Sequence, residues 1–208
     1  MTSTSVAQQQ RRVVSIDVGH RNFAIAIADC AHVGDCAHVG MTVDFLYCEV
    51  SDVTGKRTKR HTIKDVVDEI MEYAIPLLDN FAPLHAVVVE QQVVRSACNY
   101  AVANALVGLF RGRFGVPVTF MPPKRKFRVC DEFTDLTDRE QDAVQDNLKK
   151  RAIVELDTLI GMQCASIDMG CVVSLFRSSD FRKKDDLADA VLQLLTFVEW
   201  RVSSVDYK

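Results

Sequence analysis

The hydrophobic pattern along the chain predicts five strands and four helices. Alternating or wholly apolar runs rich in β-branched and aromatic residues predict strands at 12–16, 23–29, 42–50, 86–90 and 116–121. Apolar residues at helical spacing predict helices at 62–79, 99–110, 137–159 and 185–200. Three strands in a meander, followed by crossovers, predict a five-stranded mixed sheet flanked by helices, so we expect an α/β fold.

The remaining segments carry weaker patterns. Residues 1–11 are polar, lack the apolar core of a signal peptide or the features of a mitochondrial presequence, and are expected to form a disordered leader. Residues 12–208 are expected to form a single domain, because a chain of 208 residues suits one core. Thr62 and Asp65 have capping-box spacing, whereas Pro76 leaves the end of that helix open. Residues 161–180 are expected to be irregular.

Composition indicates a globular protein that acts inside cells. Apolar residues make up 48% of the chain and charged residues 25%, which is ordinary for such proteins. No apolar run reaches the roughly 18 residues of a membrane span, so we expect no membrane partner. The seven cysteines form no CxxC pair, which favours reduced thiols and an intracellular location.

Positive charge is clustered, although the formal net charge is −3. The candidate DNA-binding residues are Lys56, Arg57, Lys59, Arg60, Lys124, Arg125, Lys126, Arg182, Lys183 and Lys184. Such clusters suit contacts to phosphate groups. For the first cluster, a solvated loop is an equally good interpretation.

A six-residue unit is written nearly twice at 30–40, as CAHVGDCAHVG. Its possible zinc ligands are Cys30, His32, Cys36 and His38. The alternative is a hairpin loop lengthened by duplication. That alternative is favoured, because CxH spacing is unlike the usual spacing of zinc ligands.

Acidic residues stand at the ends of two predicted strands and at the start of the last helix. Asp17 follows the first strand and Glu90 follows three valines. A carboxylate there is costly to bury unless positive charge meets it. In the last helix Asp186 and Asp189 are three residues apart, and Asp185 and Asp189 four apart, so either pair can share a face.

Each acid taken alone has an ordinary explanation. Asp185 and Asp186 can cap a helix start, and an acid at a strand end is common. Carboxylates that converge, however, repel one another unless divalent cations lie between them, and ligation by oxygen alone favours Mg²⁺ or Mn²⁺ over zinc. Two such ions can activate water against a phosphodiester. No GxxxxGK[ST] loop occurs, so no nucleotide cofactor is expected.

Three motifs resemble those of a known family. SIDVGHRNFAIAI, VVVEQQ and KKDDLADAV resemble, in this order, the first-strand, apolar-strand and last-helix motifs of RuvC-type Holliday junction resolvases. The combination is most similar to the poxvirus branch, which groups with the fungal mitochondrial resolvases. The resemblance extends over residues 12–200. The duplicated loop and residues 161–180 have no counterpart in the family.

The resemblance implies a ribonuclease H-like fold and a homodimer that makes paired symmetric nicks in four-way DNA junctions. It implies two Mg²⁺ or Mn²⁺ ions per site and roles in DNA recombination, repair and replication. For a poxvirus, it implies resolution of genome concatemers in the host cytoplasm. The residues that match the family's metal-binding acids are Asp17, Glu90, Asp186 and Asp189. Asp185 can exchange roles with Asp186. Lys150, or its neighbour Lys149, best matches the family's catalytic lysine, with a solvated helix face as the alternative.

Other functions stay open at this point. A ribonuclease H-like nuclease for hybrid or other branched substrates would share the fold and the acids. An actin-like or sugar-kinase ATPase has a DxGxxN phosphate loop, which the chain matches as DVGHRN, but no second DxG loop is present. An inactive DNA-binding scaffold is a further class. It is disfavoured because the acids are retained.

Overall fold

A six-stranded mixed sheet between two layers of helices forms the framework of the computed structural model, which describes residues 10–19, 22–33, 40–53, 62–92, 96–123, 125 and 138–205. The strands are β1 (Arg11–Val18), β2 (Asn22–Val33), β3 (Gly40–Asp52), β4 (Ala86–Glu90), β5 (Val118–Met121) and β6 (Ile167–Asp168). The helices are α1 (Ile63–Asp79), α2 (Ala97–Arg113), α3 (Asp138–Met162), α4 (Gly170–Arg177) and α5 (Lys184–Val205).

The strand order is β5-β4-β1-β2-β3-β6. The first three strands pair antiparallel as a meander, and β4 and β5 join in parallel through the crossover helices α1 and α2. The predicted mixed α/β sheet is therefore confirmed, and β1 and β4 are neighbours at its centre.

The structure corrects the expectation for residues 161–180. They hold β6, which pairs in parallel with β3, and the helix α4, so the sheet has six strands instead of five. Two strand residues and eight helix residues are too few for a periodic signal. The helix is stabilised by tertiary packing, with Val172 and Phe176 buried one turn apart.

Alternating side chains give the sheet two cores. In β1, Val13 packs with α3, α4 and α5, whereas Val14 and Ile16 pack with α1 and α2. Among the helices that the described ranges contain, none has an apolar stretch of bilayer-spanning length.

Most predicted boundaries shift by only a few residues. The capping box of Thr62 and Asp65 is confirmed, and α1 continues past Pro76 to Asp79. The predicted leader lies outside the described residues up to residue 9, and Arg11 already belongs to β1.

Candidate active site

Asp17 and Glu90 stand side by side near the ends of two central strands. In the parallel pairing of β1 with β4, Ile16 lies opposite Val89. Asp17 and Glu90 are the next residues on their respective strands. Both are half-buried.

Both acids also belong to the same face of the sheet. Val13 and Val88 pack in the core on the α5 side. Because side chains alternate along a strand, Asp17, four residues after Val13, points to that side, and so does Glu90, two residues after Val88. The fold thus brings the two strand acids together beneath α5.

The connection from β1 to β2 begins at Gly19, two residues after Asp17. The Gly19 amide donates to the Asn22 carbonyl at 3.0 Å, and a Cβ atom on Gly19 would lie 2.4 Å from that oxygen. Since real Cβ atoms do not approach backbone that closely, the turn requires glycine here. The glycine lets β2 begin at Asn22 and leaves Asp17 near the carboxyl end of β1.

Helix α5 is attached to the strands by a buried amide. The Gln193 Nε2 atom donates to the carbonyl oxygens of Ile16 at 3.2 Å and Val88 at 3.3 Å. Asp189 precedes Gln193 by four residues and Asp186 precedes it by seven, so all three share one helical face. That face looks toward β1 and β4. Asp186 is 8% exposed and Asp189 is half-buried.

Two lysines meet the acids of α5. The Lys149 Nζ atom donates to Asp185 Oδ2 at 3.1 Å, and the Lys183 Nζ atom lies 3.9 Å from Asp186 Oδ2. Burial works to lower the pKa of Lys149, but the hydrogen bond to Asp185 and the negative charges of Asp185, Asp186 and Asp189 outweigh it, and the pKa is raised. Lys149 is therefore a cation at neutral pH. Lys150, its neighbour in α3, is exposed.

The structure describes part of the predicted DNA-binding set. Arg125, Arg182 and Lys183 are exposed, and the Lys184 Nζ atom lies 4.9 Å from the centre of the Phe176 ring. The predicted contacts that lie outside the described residues are Lys56, Arg57, Lys59, Arg60, Lys124 and Lys126.

The candidate zinc ligands lie mostly outside the described residues. This applies to Cys36, to His38 and to the side chain of His32. Cys30 is buried in the core, and burial, together with the charge of Asp29, raises the pKa of its thiol to about 12. A core thiol of this kind is poorly prepared to bind metal as a thiolate.

The four acids have the right ligand atoms for hard divalent cations, but their side chains are too far apart to bind one as they stand. Asp17, Glu90, Asp186 and Asp189 offer carboxylate oxygens only, which Mg²⁺ and Mn²⁺ prefer. Within the described ranges, no three histidine, cysteine, aspartate or glutamate side chains lie close enough together to hold a metal ion as they stand. Metal binding at these acids would therefore require their side chains to move closer together.

A second carboxylate cluster lies on the opposite face of the sheet, where Glu49, Asp52, Glu69 and Glu72 line a cavity between β3 and α1. Glu49 accepts hydrogen bonds from Ser51 Oγ at 2.6 Å, from the Tyr73 hydroxyl at 2.5 Å and from the Tyr47 hydroxyl. Burial alone would raise the pKa of Glu49, but these three donors outweigh burial and lower it. Burial and the bond to Glu49 raise the pKa of Tyr73 to about 12.

The sequence leaves Lys150 and Lys149 as alternatives, and of these two exposed lysines Lys149 is the one that hydrogen-bonds to an acid of α5. Gln193 was overlooked, although it is a single polar residue in the apolar stretch Ala190–Leu195 of the last helix, and that isolation was a usable signal.

Comparison with known proteins shows the fold. No family model matches the sequence, and no curated protein sequence matches it. Solved structures do match over nearly the whole chain. The yeast mitochondrial Holliday junction resolvase Ydc2 is 15% identical, with a TM-score of 0.59 over 98% of this chain and 86% of its own.

Two further structures agree. Thermus thermophilus RuvC is 18% identical, with a TM-score of 0.54 over 93% of this chain and 96% of its own. The fowlpox virus resolvase, in complex with substrate Holliday junction DNA, is 20% identical, with a TM-score of 0.52 over 91% and 98%. The chain therefore has the RuvC-like, ribonuclease H-type fold, and the expected fold class is confirmed.

Proposed function

We propose that the chain is a metal-dependent endonuclease that resolves four-way DNA junctions. One observation carries the proposal: Asp17 and Glu90 end adjacent strands on the face where α5 presents Asp186 and Asp189. The fold supports it, because structures with the same fold include resolvases, one of them bound to a Holliday junction.

Each group of residues has a distinct part in the proposed mechanism. Asp17, Glu90, Asp186 and Asp189 would hold two Mg²⁺ or Mn²⁺ ions, with Asp185 as an alternative to Asp186. When bound, the ions supply a Lewis acid that activates water and stabilises the leaving oxygen of the phosphodiester. The four carboxylates would hold and orient the ions through oxygen ligands alone.

A lysine beside the acids would bind the scissile phosphate. Lys149 is the stronger candidate, because its ammonium group already contacts Asp185 and stays charged at neutral pH. Lys150 is the alternative that the motif order supports. Arg182 and Lys183, which precede α5, and Lys184, its first residue, would hold the adjacent backbone phosphates.

Paired nicking would require two equal sites. A four-way junction has approximate two-fold symmetry, so a two-fold homodimer presents one site to each of two opposed strands. We propose this dimer, with selection by junction shape rather than base sequence. The biological role would then be recombination, repair and replication of DNA inside cells. For a viral protein, that role includes concatemer resolution in the host cytoplasm.

A cleavage panel tests the proposal. The full chain is incubated with a synthetic four-way junction, a flap, an RNA–DNA hybrid and a linear duplex, each with Mg²⁺, Mn²⁺ or EDTA. We expect paired nicks in the junction with either metal, and no cleavage in EDTA. Preference for the hybrid or flap would reassign the substrate. ATP hydrolysis without DNA, or junction binding without cleavage, would contradict the nuclease.

A further inference from the structure

We propose that Gln193 is a positioning residue of this metal site, fixing the rotation and height of α5 so that Asp186 and Asp189 meet Asp17 and Glu90. The inference rests on the proposed function. Gln193 would contact neither metal nor DNA, and it would act only through the acids.

The first argument is where the amide donates. Its two hydrogen bonds, at 3.2 and 3.3 Å, reach carbonyl oxygens on two different strands, β1 and β4. Ile16 directly precedes Asp17, and Val88 stands two residues before Glu90. A single side chain thus ties the helix to both strands that carry the site, immediately beneath their acids.

The second argument is that stability alone does not explain a glutamine here. Gln193 is fully buried, and its Oε1 oxygen has no hydrogen-bond partner among the described residues. A buried amide oxygen without a partner costs free energy, and an apolar side chain of the same size would avoid that cost. Buried polar groups of this kind specify register in several known systems, and the two strand carbonyls give Gln193 the partners for that role.

The third argument is that the rest of the helix cannot specify register by itself. Buried residues surround the helix axis on nearly every side between 187 and 198; they are Leu187, Ala188, Ala190, Val191, Leu192, Leu194, Thr196, Phe197 and Val198. Apart from Thr196 these residues are apolar, and apolar contacts are not directional, so they do not by themselves fix the rotation of the helix. A shift of one residue turns it by about 100° and advances it about 1.5 Å, enough to carry both acids away from the strands.

Gln193→Met tests the inference, because methionine keeps the length of the side chain and removes both donors. The full chain is measured in two ways: the Mn²⁺ concentration for half-maximal junction cleavage, and the Mn²⁺-induced rise in Tm without DNA. We expect the Mn²⁺ requirement to rise about tenfold or more, as for other residues that orient metal ligands. The Mn²⁺-induced rise in Tm, taken relative to the metal-free Tm of the same protein, should fall by more than half.

Leu194→Met is the matched control. It introduces the same side chain at the next, equally buried position and leaves the amide in place. We expect its Mn²⁺ requirement and Tm response to match the wild type. Gln193→Asn keeps an amide one methylene shorter, and should fall between the wild type and Gln193→Met.

The outcomes separate this inference from the proposed function. A wild type that responds to Mn²⁺ and cuts junctions, with Gln193→Met equal to it in both assays, would overturn the role of Gln193 alone. A wild type with neither response would overturn both. If Gln193→Met does not fold, a Gln193→Asn protein with wild-type Mn²⁺ behaviour would overturn the inference instead.

Discussion

Two carboxylate clusters lie on opposite faces of the same sheet, and their partners differ in kind. Glu49, facing α1, is surrounded by three neutral hydroxyl donors from Tyr47, Ser51 and Tyr73. The acids on the α5 face carry several negative charges and pair with lysines. The lysine side chains are half or more exposed, 56% for Lys149 and 50% for Lys183.

The difference separates a structural carboxylate from a candidate catalytic set. Glu49 has one negative charge and three fixed donors, so its hydrogen bonding is satisfied locally and its pKa is lowered. Around α5, the partners of the acids are instead exposed cationic side chains, which are able to reorient. Such a site changes its charge balance when a metal or a phosphate binds, and that change is what a nuclease needs.

Replacing one acid by its amide on each face of the sheet tests most directly whether only the α5 face is needed for cleavage. We expect Asp189→Asn to lower the rate of junction cleavage about a thousandfold, equivalent to ~4 kcal/mol at 1.36 kcal/mol per tenfold, because a metal ligand is lost. Binding of the junction should remain measurable by gel shift.

Glu49→Gln is the matched control in that assay, and its cleavage rate should stay within about threefold of the wild type, because the change lies on the other face of the sheet. A wild-type rate for Asp189→Asn would remove Asp189 from the site. A large loss of cleavage rate in Glu49→Gln alone would indicate that the active site lies on the α1 face.

The strand acids could be located from sequence because strand periodicity is a local signal. The residues around Asp17 and Glu90 are apolar and β-branched, so their strand identity follows from the pattern itself. A meander followed by a crossover then places β1 beside β4, which the pairing confirms. Local pattern and topology rules together were therefore sufficient to place Asp17 and Glu90, two of the four acids, next to each other.

Features that depend on the exact rotation of a helix or the register of a strand could not be predicted from the sequence. In β3, Phe45 packs on the α5 face but Tyr47 on the α1 face, because the register between β2 and β3 shifts at Ile27 and Ala28. Alternation alone predicts that these two side chains share a face. Without that shift, Tyr47 and Glu49, which are two residues apart, would both lie on the α5 face.

The choice between Lys149 and Lys150 depends on the same kind of information. Neighbouring residues on a helix point about 100° apart, so the rotation of α3 decides which lysine reaches the acids. That rotation is set by tertiary packing, which buries Ala152 and Leu156. Only the folded chain therefore singles out Lys149.

The second prediction concerns these lysines. We expect Lys149→Ala to reduce the rate of junction cleavage about a hundredfold, as loss of one charged donor at a reacting phosphate would. Lys150→Ala is the adjacent control and should stay within about threefold of the wild type. Single-turnover rates at saturating junction separate this effect from weaker binding. The opposite ranking would assign the role to Lys150.

The third prediction measures the structural cluster directly. Glu49→Gln should reduce the free energy of unfolding by about 1–3 kcal/mol, because a glutamine amide cannot accept all three hydroxyl hydrogens. Urea unfolding followed by circular dichroism provides the measurement. Asp79→Asn is the control at an exposed ion pair with Arg113, and should have a smaller effect because solvent screens that pair. Equal losses of unfolding free energy in Glu49→Gln and Asp79→Asn would show that Glu49 has no special structural role.

The smallest expected effect is the pH dependence of the difference in unfolding free energy between the wild type and Glu49→Gln. Hydrogen bonds lower the pKa of Glu49 in the folded state, so its contribution to stability is present above the unfolded glutamate pKa of about 4.3 and is lost as the pH falls through the folded value. The gap in unfolding free energy between the wild type and Glu49→Gln should stay constant from pH 7 to about pH 5, then narrow as the wild-type carboxylate is protonated. Urea titrations of both proteins between pH 7 and about pH 3 measure the gap. A gap that already narrows between pH 7 and about pH 5 would show that Glu49 is not held as a carboxylate by its hydroxyl donors.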